Sequence, residues 1–360
     1  MKLLIDVNHP AHVHLFKNLS WELEQRGHKV FWVARPRDIT GVLLDKYGFN
    51  YRMLTSAKPG FINMACELIE RDIKLFRVVK QFKPDLMVGT SVCISHISRI
   101  TNAHSAVFCE DDANIVKTLS ILSYPFADII CTPDCLKENY GIKHIKYPSY
   151  HELAYLHPNR FSPNPKVLKN LGVKKNENYF LIRFVAFRAD HDIGEFGIDY
   201  NLGKKLINEL LPYGKVFITS ERPLPPEMEK YRIHIPPWEM HDALYYATMY
   251  IGDSQTMTAE AAVLGTPAIR CNTFVGRISY LEELEHRYGL TYGFLPKDED
   301  GMFKKIFEIL KNKSLKKEWV EKRKRMLAEK IDLTEWMVDF VLHHTRYLRN
   351  VVMNTSQTKV

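Results

Sequence analysis

Four groups of residues carry side chains suited to chemistry. The first is His9, His12 and His14, three histidines within six residues, directly after an apolar run. Imidazole titrates near neutral pH, so one of them, His12 by preference, suits a general base. The second is Glu110-Asp111-Asp112. Such carboxylates can bind hydroxyls, hold a cation or act as a base, and an acidic turn without chemistry fits as well. The third is RFVAFRADHDIG, residues 183–194. Arg183 and Arg188 can form paired hydrogen bonds to a diphosphate, while His191 and Asp192 can orient one another. A salt-bridged loop is the plainer account. The fourth is GDSQTMTAEAAVLGTPAIR, residues 252–270. There Ser254, Gln255, Thr256 and Met257 open a helix whose first amides and dipole suit a phosphate. Ser254 and Thr256 add hydroxyls, and Glu260, one turn after Thr256, can accept from a ribose diol. Ser, Thr and Glu also cap helices for stability alone.

These groups share a setting. Each comes directly after a short apolar run that reads as a buried strand: KLLIDV at residues 2–7, then residues 106–109, 179–184 and 249–251. In an open parallel sheet the ligand crevice lies at the carboxyl ends of strands. Phe16, Leu19 and Leu23 recur at helical spacing before a second strand, KVFWVA, at residues 29–34. This is a βαβ opening. Further strands are expected at residues 51–54, 86–89, 129–131, 215–219, 233–235 and 268–270. Helices are expected near residues 39–47, 61–82, 202–211 and 241–247, with Gly265 as a left-handed stop after the 252–264 stretch. The result is an α/β fold in two halves, joined by a proline-rich connector at residues 147–165. Asp332 and Glu335 form a capping box for a terminal helix with an apolar stripe of Trp336, Met337, Phe340 and Val341. There is no G-x-G-x-x-G or P-loop pattern, so neither a nicotinamide or flavin dinucleotide nor a P-loop nucleotidase is indicated.

Composition bounds the function class. A chain of 360 residues holds about two domains, and 46% hydrophobic with 26% charged residues is that of a globular protein. No apolar run approaches the roughly 20 residues that cross a bilayer. The first strand is too short for a secretory signal, which points to a cytoplasmic location. The six cysteines are scattered, so buried thiols are expected rather than disulfides, and no metal or cofactor is expected. The formal charge is +8, with much of the excess in residues 304–330. That region reads as a pair of solvated helices, with attraction to an anionic membrane or substrate as the alternative. No nucleic-acid motif accompanies it, so nucleic acid is not an expected partner. The helix at 61–82 reads as a cover over the sheet, with a membrane-facing acceptor surface as the sharper alternative.

The motifs DVNHPAHVHLFKNL, YPSYHELAYLHPNRFSP and LYYATMYIGDSQTMTAEAAVLGTPAIR resemble an uncharacterised prokaryotic family of GT-B-like proteins. The resemblance implies two Rossmann-like domains with a cleft between them. Residues 1–160 would form the acceptor side and residues 161–335 the nucleotide-sugar side. A terminal helix and tail, residues 336–360, would pack back on the first domain. The chain is also similar to the N-acetylglucosaminyltransferase of peptidoglycan-precursor synthesis. That likeness implies roles for His12, for Glu110 as an acceptor-side carboxylate, for Glu260 as ribose ligand and for Pro237 along the base edge. Similarity to UDP-N-acetylglucosamine 2-epimerase implies a phosphate turn at Asp253-Ser254. Here Gln255 and Thr256 replace that turn's glycines, and Pro10 and Ala11 replace the transferase's glycines beside His12. The implied activity is a glycosyltransferase using a nucleoside-diphosphate sugar, a UDP-sugar by preference, in surface polysaccharide or glycolipid synthesis. Asp111 is the alternative base. Peripheral contact with the inner face of the membrane and a lipid-linked acceptor go with that reading. A 2-epimerase and a non-catalytic nucleotide-sugar binder remain as alternatives.

Overall fold

The computed structural model describes residues 1–37, 39–56, 61–174, 176–186 and 194–357. Arg188 and His191 therefore lie outside the described residues. The chain divides into two compact units: Met1–Tyr155 with Ile331–Val360, and Leu156–Lys330.

Unit 1 holds the strands β1 (Lys2–Val7), β2 (Lys29–Ala34), β3 (Tyr51–Met53), β4 (Leu86–Gly89), β5 (His104–Phe108), β6 (Ile129–Pro133) and β7 (His144–Tyr147). They pair in the order β3-β2-β1-β4-β5-β6-β7, every neighbour parallel. A parallel sheet is covered on both faces, which is why its strands are continuous apolar runs. β1 shows this: Leu3, Leu4, Ile5 and Val7 are fully buried. Asp6 is buried among them, and Arg71 donates a hydrogen bond to its carboxylate. The helices are α1 (Pro10–Gln25), α2 (Thr40–Lys46), α3 (Phe61–Phe82), α4 (Val92–Ser98), α5 (Lys117–Ser123) and the short α6 (Leu153–Leu156) at the boundary.

Unit 2 contains α7 (Lys166–Asn170), β8 (Tyr179–Phe184), α8 (Tyr200–Leu210), β9 (Lys215–Ser220), α9 (Pro226–Glu229), α10 (Met240–Tyr246), β10 (Met249–Gly252), α11 (Gln255–Leu264), β11 (Ala268–Cys271), α12 (Ser279–His286), β12 (Thr291–Phe294), α13 (Glu299–Lys311) and α14 (Leu315–Glu329). Its sheet is also parallel, ordered β12-β11-β10-β8-β9. The last helix, α15 (Leu333–Gln357), belongs to unit 1. Thr334 Oγ1 donates to the Ala154 carbonyl at 2.7 Å, and Phe340 stacks on Trp336 and meets Phe108 edge-on at 6.0 Å. Truncating the fully buried Phe340 to Ala would cost about 3–5 kcal/mol.

Two expectations are corrected and one is sharpened. No strand forms at residues 233–235; Arg232 makes a single bridge to Ile218. Polar neighbours and the adjoining Pro236-Pro237 leave too short a run to extend it. The proline-rich connector holds the unit boundary as expected, but its first half is packed into unit 1. Tyr147 lies in β7, and Tyr147, Tyr150 and Leu153 are fully buried in unit 1, so their aromatic and aliphatic bulk outweighs the turn signal of the prolines. The thiols are free among the described residues, but Cys66 is exposed on α3 rather than buried.

Candidate functional site

Each sheet has one place where the chain reverses its direction of growth. In such sheets ligands bind outside the carboxyl ends of the two strands flanking that switch. In unit 1 the switch lies between β1 and β4, because β2 and β3 add to one side and β4 to β7 to the other. In unit 2 it lies between β8 and β10.

The unit 1 switch brings the first loop against Thr90. His9 is the N-cap of α1, its Nδ1 accepting the Ala11 amide at 3.2 Å. Pro10 at the first position needs no partner for a missing N–H. His12 Nδ1 lies 2.6 Å from Thr90 Oγ1 and accepts the Asn8 amide at 3.4 Å. A backbone N–H can only donate, so the neutral ring carries its proton on Nε2 by inference from the bonding. Burial holds His12 well below its ordinary 6.5, and His9, His151 and Arg37 push it the same way. His12 is therefore a neutral imidazole at physiological pH. His14 lies elsewhere: it is buried on α1 and its ring meets Tyr47 and Tyr155.

The carboxylates after β5 are split by the fold. Asp112 is buried, and its carbonyl accepts the amides of Ile115 and Val116, turning the chain toward α5. Glu110 faces His151. Its Oε2 accepts the His151 amide at 3.3 Å and its Oε1 lies 3.5 Å from His151 Nδ1. His151 Nε2 is buried and has no hydrogen-bond partner. The sequence places Thr90 at the same crevice, just past the end of β4, but sequence reasoning missed His151, because its partner Glu110 is 41 residues away.

The unit 2 switch is built around the turn from β10 to α11. Ser254 caps the helix, its Oγ accepting the Met257 amide at 3.3 Å, and Gly265 ends it at φ 81°. Ser254, Gln255 and Thr256 are partly exposed, while Met257 is buried. Gly252 is required before them: a Cβ would lie 2.9 Å from that of Arg183 and closer still to the Tyr250 hydroxyl. Asp253 is buried beneath the turn. Its Oδ1 accepts the Val185 amide at 2.7 Å, and its Oδ2 has no partner of hydrogen-bonding geometry. Burial pushes its carboxyl up to about 7, against the lowering effects of the Val185 amide, Arg222 and Arg183.

Arg183, at the end of β8, donates to Thr219 Oγ1 at 2.7 Å and to Glu221, leaving its buried Nε without a partner. Glu260 is also buried. Its Oε1 lies 2.9 Å from His241 Nε2 on α10, a pairing hidden from the sequence. Pro237 opens a short 3₁₀ turn, Pro237–Glu239, that leads into α10. The structure thus gathers Arg183 and Ser254 to Met257 at one switch point, holds Glu260 and Pro237 through α10 and α11, and keeps His12 and Glu110 in unit 1. His241 and the depth of Asp253 are the unit 2 features that sequence reasoning missed.

Residues 1–346 match a family described as "Protein of unknown function" (DUF354). The chain belongs to that family. It is 25% identical over 281 residues to an uncharacterized protein of Methanocaldococcus jannaschii, MJ0665, covering 74% of this chain and 80% of that one. Among solved structures it is similar to MnaA of S. aureus in complex with UDP, with a TM-score of 0.69 and 11% identity over 97% of each chain. It is similar to the UDP-GlcNAc 2-epimerase of Neisseria meningitidis bound to UDP-GlcNAc, with a TM-score of 0.65 and 12% identity over 95% of this chain and 100% of that one. It is similar also to the spinosyn forosaminyltransferase SpnP, with a TM-score of 0.64 and 14% identity over 97% and 99%. The fold of this DUF354 protein is GT-B-like, with two parallel α/β sheets. Among the described residues, no helix is long and apolar enough to cross a membrane.

Proposed function

We propose that this protein is a glycosyltransferase using a nucleoside-diphosphate sugar, with uridine diphosphate as the carrier. The observation that supports this most is the unit 2 switch point: partly exposed helix-opening residues beside an arginine whose buried Nε has no partner. Solved structures of similar proteins hold UDP and UDP-GlcNAc, which supports the choice of nucleotide.

In this reading the diphosphate sits at the Ser254 to Met257 turn and accepts hydrogen bonds from the amides of Gln255 and Thr256, from the Ser254 hydroxyl and from Arg183. Arg188 and His191 are assigned to the same group. Glu260 uses the carboxylate oxygen not facing His241 to accept from the ribose, and the Pro237 segment reads the base edge. His12 is the base, and Asp111 its alternative. Thr90 Oγ1, 2.6 Å from His12 Nδ1, holds the imidazole in place for the acceptor. The acceptor oxygen bonds to the anomeric carbon as the bond from that carbon to the diphosphate breaks. The acceptor's proton passes to His12. Helix amides and Arg183 stabilise the leaving diphosphate, so transfer continues in the presence of a chelator. The acceptor is a sugar or a lipid-linked sugar of surface polysaccharide or glycolipid synthesis.

One observation favours a second reading. Glu110, partly exposed, and buried His151 form a carboxylate–imidazole pair, suited to moving a proton at the sugar's C2 as a nucleotide-sugar 2-epimerase does. NMR of a UDP-sugar with the purified protein separates the two. A sugar that epimerises without acceptor supports the epimerase. A sugar unchanged alone but consumed with acceptor, releasing UDP, supports the transferase. Saturable binding with neither outcome supports a non-catalytic binder.

A further inference from the structure

The outer layer of unit 1 carries aliphatic side chains that face solvent. α3, α4 and α5 pack on one face of the sheet through Leu75, Val78, Val79, Ile94, Ile97 and the neighbouring core. Their outer sides carry Ile69 and Ile73 on α3, Ile100 after α4, and Ile121 on α5, with Phe126 and Ile142 beyond; Ile121 is 66% and Ile69 61% exposed. Hydrogen bonds tie these segments together. His96 on α4 bonds Asp72 of α3 at 2.8 Å and the Leu122 carbonyl at 2.9 Å, and its ring meets Phe126 at 5.4 Å. Arg99, beside Ile100, donates to the Phe126 carbonyl at 2.5 Å. Lys143, beside Ile142, donates to the Tyr124 and Pro125 carbonyls. The apolar side chains thus surround the turn from α5 to β6 and continue up α3. Isolated exposed aliphatics are ordinary, but a bonded cluster of them on one face marks an interaction surface.

Charge selects the partner. The carboxylates of α3 and of the turn are already matched: Glu67 with Arg35, Glu70 with Lys74, Asp72 with His96, and Asp128 with Arg99. α4 and α5 contain no acidic residue. Arg77 and Lys80 on α3 and Lys117 on α5 are exposed and have no carboxylate partner among the described residues. Lys117 stands one helical turn before Ile121 on the same side of α5. A surface that offers aliphatic side chains beside unmatched cations complements lipid acyl chains beneath anionic headgroups.

We infer that this face of unit 1 docks on an anionic membrane surface, with Phe126 and the isoleucines entering the interface and Arg77, Lys80 and Lys117 meeting the headgroups. The inference does not depend on which ligand unit 2 binds. The test is flotation of the full chain with vesicles of phosphatidylcholine alone, or containing about one third phosphatidylglycerol. Binding is expected to anionic vesicles only, and to weaken between ~0.1 M and ~0.5 M salt. Ile121→Asp with Phe126→Asp, and separately Arg77→Glu with Lys117→Glu, are each expected to weaken it at least about tenfold. All four side chains are exposed, and circular dichroism verifies that the variants fold. No flotation with anionic vesicles, equal flotation with neutral ones, or full binding by both folded variants would overturn the inference. So would a dimer, seen by sedimentation equilibrium, that Ile121→Asp with Phe126→Asp dissociates. That result would assign the face to a second copy of this chain.

Discussion

The two switch points share a topology and differ in chemistry. Beyond β1 and β4 the chain places His12 against Thr90, and after the neighbouring β5 it places Glu110 against His151. Beyond β8 and β10 it places helix amides, a serine cap and Arg183. The first set offers a neutral imidazole in His12, which can accept a proton, so it suits the movement of a proton. The second presents helix-opening amides and an arginine, so it suits the holding of an anion. Asp253, the titratable carboxyl at the unit 2 switch, is buried beneath the turn. The contrast is that one kind of sheet order carries different side chains in the residues just after each strand.

The sharpest way to break this contrast is His12→Ala. Turnover of a UDP-sugar with acceptor should fall about 10²–10⁴-fold, while calorimetric affinity for UDP stays within about twofold. Loss of UDP affinity instead would erase the division between the switches. Arg183→Ala should do the converse. Losing charge-assisted bonds to phosphate should weaken UDP binding about 10–100-fold in a fluorescent-nucleotide displacement assay, with kcat changed far less.

The pH responses should differ as well. His12 is held below 6.5, so turnover should stay on its plateau below that pH and fall only when the lower value is crossed. At the other switch, Asp253 is raised from 3.8 to about 7, so it gains a negative charge beneath the phosphate as pH rises through 7. UDP affinity should therefore decline above pH 7, by up to about tenfold per pH unit at the steepest, and Asp253→Asn should flatten the decline. Folding raises this carboxyl, so the folded chain holds a proton that the unfolded chain releases first. Stability should thus fall as pH climbs from the ordinary carboxylate range to about 7, and Asp253→Asn should remove that loss. The smallest effect is expected for Thr90→Val, which removes one hydrogen bond to His12 and should slow turnover about fivefold.

Much of the fold is legible because the strands are apolar runs and the helices carry their own caps. KLLIDV forms β1 with its expected bounds, and the 252–270 stretch forms strand, capped helix and strand with Gly265 left-handed. β7 and β12 are not legible. HIKY is half polar and TYGF contains a glycine, so packing between neighbours, not local pattern, makes them strands. Candidate groups are legible wherever one loop gathers them, as in His9 to His12 or Ser254 to Met257. They are hidden wherever a pair forms across the fold. Glu110 with His151 and Glu260 with His241 are partners that only the sheet order and helix packing bring together. Asp253 has the local pattern of a turn residue, and its depth depends on Gly197 and Val185 closing over it.

The central claim is that unit 2 holds a nucleoside diphosphate at the α11 turn while His12 of unit 1 serves the bond-making step. Calorimetric titration of UDP into the wild-type protein, His12→Ala and Arg183→Ala tests it most directly. The account predicts saturable one-to-one binding, unchanged in His12→Ala and weakened at least about tenfold in Arg183→Ala. No saturable binding by the wild-type protein, or binding lost in His12→Ala and kept in Arg183→Ala, would contradict it.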